Sequence, residues 1–134
     1  MSNPELVPYA ALLLRVSLAI LFFAHAWLKI VVFTPAGAAK YFQSLGVPGF
    51  LAYVTMAAEI GGGLLLLFGI ETRWVALLLV PLILGTIVLV HGKAGFFFTN
   101  KDGGWEYPAF WIVGLVVLAL LGDGAAAVGP VLRG

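Results

Sequence analysis

Five side chains in this sequence have types and positions suited to chemistry within an apolar chain: Glu59, Arg15, His25, His91 and Glu106. Glu59 stands in the run Ala57-Ala58-Glu59-Ile60-Gly61-Gly62-Gly63-Leu64-Leu65-Leu66-Leu67. A carboxylate inside such a run is costly unless it is paired, solvated or protonated, so it marks a candidate site. Arg15, Leu18, Phe22, His25 and Lys29 recur at three- and four-residue steps, which places them on one helix face. A face with that many ionisable groups points into a bundle or a water-filled cavity rather than at lipid. At a rise of about 1.5 Å per residue, Glu59 lies about 16 Å and Arg15 about 22 Å from the same membrane surface. This depth predicts a buried Glu59–Arg15 ion pair, direct or through water, since either charge alone would be expensive. His25, His91 and Glu106 fall near one end of their segments, so the expected pocket runs from a mouth lined by these three down to Glu59. Groups of this kind hydrogen-bond carbonyls and pass protons, and histidine changes charge near neutral pH. Structural roles compete with this reading. The histidines can rest in the headgroup layer, Lys29 can snorkel to the interface, Gly61 to Gly63 can serve helix packing, and Glu59 with Arg15 can simply lock the bundle. His25, His91 and Glu106 are also suitable metal ligands, but no spacing motif supports a metal site.

The elements that must position these groups are membrane helices. The chain has 134 residues, of which 63% are hydrophobic and 10% charged; soluble domains carry about 25% charged residues. A chain this small has too little interior to bury that much apolar surface from water. Apolar runs of about 20 residues span the hydrocarbon layer, and they predict spans at about 8–30, 48–68, 74–91 and 105–121. Together they make an all-α four-helix bundle and a single transmembrane domain over 1–134. Thr34-Pro35 opens a short amphipathic helix at about 35–45, suited to the membrane surface. Gly46 and Gly69 are expected helix ends, and Pro81 is expected to kink or open the third span. Ala24-His25-Ala26 looks like a signal-peptidase site, but the lead carries Glu5 and no Lys or Arg, and Arg15 interrupts the apolar run, against cleavage. Trp27, Trp74 and Trp105 stand near span ends, where interfacial tryptophans collect. Both termini share one side. Lys29, Lys40, Lys93 and Lys101 lie near the other, which by the positive-inside rule favours cytoplasmic loops by a thin margin.

The net charge of +1 without a basic block gives no support for nucleic-acid binding, and the absence of cysteine excludes a disulfide, an iron–sulfur cluster and thiol chemistry carried by this chain. No motif for flavin, haem or NAD is recognisable.

The assembled residues resemble the DoxX family, small four-span bacterial membrane proteins that include DoxD-like members. The resemblance rests on the Arg15…His25…Lys29 helix, on Phe42-Gln43-Ser44-Leu45-Gly46-Val47-Pro48 and on Glu59-Ile60-Gly61-Gly62 through Gly69, followed by Thr72-Arg73. It extends to His91-Gly92, Gly104-Trp105-Glu106-Tyr107 and Leu121-Gly122-Asp123-Gly124. It implies a four-helix bundle in the bacterial inner membrane. It also implies a link to quinone reduction in thiosulfate oxidation, to oxidative-stress complexes or to maturation of periplasmic redox proteins. The lack of cysteine departs from members associated with disulfide chemistry. The leading expectation is a membrane subunit of a redox system, in contact with lipid and with a quinone-like molecule. In it Glu59 and Arg15 form the pocket floor, and His25, His91 and Glu106 bind the ligand or relay protons. A non-enzymatic scaffold or assembly factor for a protein partner is the alternative. A small transporter is a third reading; it would need a homo-oligomer, and the halves show no inverted repeat.

Overall fold

The computed structural model describes residues 3–133, and among them there are helices and loops but no strand. A 3-10 turn, Pro4–Leu6, leads into α1, Val7–Trp27, with Pro8 in its first turn. Pro at that position removes only an N–H that has no helical partner. The buried side chains of α1 are Ala11, Arg15, Leu18, Ala19, Phe22 and Ala26, a stripe at helical spacing. Its exposed large side chains, Val7, Tyr9, Leu13, Ile20, Leu21 and Trp27, are apolar or aromatic, which suits lipid rather than water. Beyond Trp27 the chain makes a π-helical turn, Leu28–Val32, closed by the Phe33 N–H on the Leu28 carbonyl at 2.9 Å. Helix α2, Pro35–Ser44, is capped by the Thr34 hydroxyl, which accepts from the Gly37 N–H at 3.1 Å. At about 1.5 Å per residue its ten residues are too short to span. It packs Ala38 and Phe42 on Ala52 and Met56 of α3, Phe50–Phe68. Helix α4, Thr72–Leu89, carries Pro81 in its interior. Helix α5 is Glu106–Leu121, and a short α6, Gly129–Arg133, ends the chain.

Helices α1, α3 and α4 are long and apolar enough to cross a membrane, and α5 is apolar but shorter. Helix α1 packs mainly on α3 and α4 mainly on α5, while α1–α5 and α3–α4 contacts close the ring. The core holds Phe22, Leu66, Leu79, Trp111, Leu115 and Leu118. Two of the three consecutive glycines permit the close approach. A Cβ at Gly62 would stand 2.9 Å from Leu79, and one at Gly63 would stand 2.7 Å from the Phe23 ring. Gly61 faces open space. Gly46 and Gly69 end α2 and α3 at positive φ, as their residue type predicts.

The connection from α4 to α5 starts with a 3-10 turn, His91–Ala94. It folds back so that Trp105 and Glu106 donate their N–H groups to the carbonyls of Gly95 and Phe96 at 2.8 and 3.0 Å. Those bonds satisfy two backbone donors at the start of α5 that have no helical partner. Phe96, Phe97 and Phe98 remain exposed, which places this loop at the membrane surface.

Candidate functional site

Arg15 is fully buried and does not meet Glu59. Its guanidinium instead gathers carbonyls at the other end of the bundle. Nε donates to Asp123 at 3.0 Å, Nη1 to Leu66 and Leu67 at 2.9 and 2.7 Å, and Nη2 to Ala125 and Ala126 at 2.8 and 3.2 Å. Guanidinium has five N–H donors, so none is left for a ligand. The last four carbonyls of α3 are thereby all satisfied. Leu65 and Leu66 accept from Ile70 and Gly69, Phe68 accepts from Val128, and Leu67 has Arg15 alone. The positive charge also lies at the negative end of the α3 dipole. The expected Glu59–Arg15 pair is therefore replaced by a cation that joins α1, the end of α3 and the tail. Gly69 belongs to this junction: at φ +67° a Cβ would lie 2.5 Å from the Ala127 Cβ.

The tail is fastened a second time. Arg133 Nη2 lies 2.8 Å from Asp123 Oδ2, its Nη1 lies 3.3 Å from Glu71 Oε1, and the Thr72 N–H donates to Asp123 Oδ1 at 3.3 Å. Burial pushes the Asp123 carboxyl up, but the bonds from Arg133 and Thr72 and the Arg133 charge outweigh it and hold the carboxyl below its ordinary value. The stabilisation is then fully present above the unfolded value, about pH 4, and is lost as pH falls through the folded value. The melting temperature should fall as pH is lowered below about 4, and Arg133→Gln should flatten that slope. A slope unchanged by the substitution would show that this latch does not carry the dependence.

Glu59 pairs with Lys29. The ammonium stands 3.1 Å from Oε1 and donates to Oε2 at 3.2 Å. Lys29 belongs to the π turn that ends α1, and Glu59 lies mid-way along α3. The carboxylate side chain is 4% exposed and the lysine side chain 18%. Lys29 thus points inward, where snorkelling to the interface was expected. Oε1 contacts the charge but accepts no well-directed hydrogen bond, so it retains acceptor capacity.

His25 lies one helical turn before Lys29 and packs against Trp111 of α5 at a tilt of 53°, with ring centroids 4.8 Å apart. Phe22 flanks the same indole at 4.9 Å. The Trp111 Nε1–H is buried with no hydrogen-bond partner among the described residues. His91 is held by the Gly103 carbonyl, 2.7 Å from Nδ1, and by the Tyr107 hydroxyl, 2.9 Å from Nε2. A carbonyl only accepts, so Nδ1 carries a proton and the neutral ring accepts the phenol proton at Nε2. Glu106 is half-buried beside Tyr107 and fixes its backbone N–H on Phe96. Among the described residues no group of three or more His, Cys, Asp or Glu side chains is arranged to hold a metal.

Of the five expected site residues, Glu59, His25, His91 and Glu106 thus stand towards the loop end, and Arg15 is engaged towards the termini. Sequence reasoning missed Lys29 as the partner of Glu59, and it missed Trp111 and Tyr107. For Trp111 the available signal was a tryptophan six residues inside a predicted span, deeper than an interfacial one.

A bundle of apolar helices with a buried ion pair and polar aromatic contacts defines a multi-pass helical membrane protein. The DoxX family model matches residues 10–92, and the chain belongs to that family. It is 37% identical over 119 residues to CatD of Bacillus subtilis (strain 168), a provisionally named oxidoreductase, covering 89% of this chain and 84% of that protein. It is 32% identical over 131 residues to the inner membrane protein YqjF of Escherichia coli (strain K12), covering 96% of each. No solved structure matches. The family and these relatives identify a multi-pass protein of the bacterial inner membrane.

Proposed function

We propose that the chain is the membrane-embedded part of a redox system, with a quinone-like ring held towards the loop end among α1, α3 and α5. The observation that carries this reading is that two of the three buried side-chain polar atoms without a hydrogen-bond partner among the described residues, the Trp111 Nε1–H donor and the Glu59 Oε1 acceptor, lie beside one stretch of chain, the third being Thr72 Oγ1 at the start of α4. Buried polar groups are nearly always satisfied, so a donor and an acceptor left open point to a ligand. They flank residues 25–29, from the end of α1 into the π turn, since Trp111 touches His25 and Glu59 touches Lys29. A quinone carbonyl accepts from the indole, and a hydroquinone hydroxyl donates to the carboxylate. Reduction of a quinone takes up two electrons and two protons. The electrons come from a partner or donor substrate, and the protons pass through His25 and through the hydrogen-bonded His91–Tyr107 pair. Glu106, next in the chain to Tyr107, belongs to the same end of the proposed site. Arg15 acts in folding only. The oxidoreductase name of the relative CatD agrees with this assignment.

The test is purification in mild detergent from native membranes, followed by lipid extraction. About one quinone per chain is expected, and Trp111→Phe should weaken binding of added quinone about fivefold to tenfold, the loss of one buried hydrogen bond. Absence of stoichiometric quinone together with no binding of added quinone would remove the proposal.

A further inference from the structure

An open groove of about 540 Å³ lies between α2 and the connection from α4 to α5, apart from the buried polar residues described above. Leu45 and Leu89 give it apolar lining, and Tyr41, Lys93, Lys101 and Asp102 give it polar lining. Lys93 and Lys101 are exposed, and among the described residues neither ammonium enters an ion pair. The same loop carries the exposed phenyl rings of Phe96, Phe97 and Phe98. Three such rings in sequence belong at the boundary between acyl chains and headgroups. The two lysines beside them therefore stand at the depth of lipid phosphates.

We propose that this groove binds the phosphodiester of an anionic phospholipid. Two ammonium groups and a single carboxylate, Asp102, line the groove, so it has a net charge of one positive unit that a phosphodiester neutralises. The Tyr41 hydroxyl supplies a donor, and the leucines line the path of the glycerol and upper acyl chain. Lysine clusters at the membrane surface attract anionic headgroups by about a factor of five per residue. The groove differs from a diffuse basic surface in having an apolar wall, and it differs from a free-phosphate site in having an aromatic anchor in the lipid.

Native mass spectrometry of the full chain in detergent tests this, with phosphatidylglycerol and phosphatidylcholine offered at equal concentration. Phosphatidylglycerol adducts should exceed phosphatidylcholine adducts by about fivefold or more. Lys93→Gln with Lys101→Gln should abolish the excess while helix content by circular dichroism stays unchanged. Asp102→Asn should increase it, and Lys40→Gln, the loss of one charge outside the groove, should leave it in place. The proposal is overturned if the two lipids bind equally. It is also overturned if Lys40→Gln costs as much as either groove lysine, or if inorganic phosphate raises the melting temperature as much as phosphatidylglycerol does.

Discussion

Arg15→Lys should destabilise the protein by about 3 kcal/mol, and Arg15→Leu by about 5 kcal/mol or more, since each hydrogen bond to a charged donor contributes about 1.5–3 kcal/mol and the losses are not additive. Lysine has three donors on one nitrogen and cannot reach five carbonyls spread over the end of α3 and the tail. Leucine removes all five bonds, and of these carbonyls Leu66 alone keeps a backbone donor among the described residues, the Gly69 N–H. The Leu67 carbonyl has no other partner among the described residues, so α3 should fray at its end. Residues 123–126 should become protease-sensitive, because their carbonyls lose the group that holds them. Melting in detergent and limited proteolysis measure both effects. A variant within about 1 kcal/mol of the parent, below the net value of a single such bond, would show that the lock is dispensable.

The second large effect is expected at the Lys29–Glu59 pair. Removal of one partner leaves a buried charge without its counter-charge, and such losses cost about 3–5 kcal/mol. Lys29→Met and Glu59→Met should each fall in that range. The double variant should lie within about 1 kcal/mol of the parent, because unbranched apolar side chains of similar length replace a pair that gains little beyond its desolvation cost. Equilibrium unfolding of the four proteins gives the coupling directly. Additive losses would mean that the two side chains do not depend on each other, despite the 3.1 Å contact.

The helices and their ends were legible because the sequence writes them in side chains. Apolar runs mark the spans, Thr34-Pro35 opens α2, and Gly46 and Gly69 close α2 and α3 at positive φ. Glu59 was recognisable as a costly group for the same reason. Its partner was not. A count of 1.5 Å per residue assumes a straight α-helix and sets Lys29 at the membrane surface. The π turn at Leu28–Val32 and the length of the lysine side chain bring its ammonium to the carboxylate instead. Arg15 was misassigned because its partners are backbone carbonyls. Every residue supplies a carbonyl, so a tail of glycine and alanine gives no sign that it will cap an arginine. Trp111 and Tyr107 escaped notice because their roles depend on which neighbour each one meets, His25 in one case and His91 in the other. Periodicity places a residue on a face but does not choose its contact.

The most direct test of the proposed ligand site is binding of a short-tailed quinone to the purified Lys29→Met, Glu59→Met double variant, followed by quenching of tryptophan fluorescence. This variant keeps the bundle intact by the argument above, so a loss of binding cannot be ascribed to unfolding once its melting temperature matches that of the parent. Saturable quenching in the parent and at least tenfold weaker quenching in the double variant is the predicted result. Equal binding by the two proteins would contradict the assignment and leave Lys29 and Glu59 with a structural role alone.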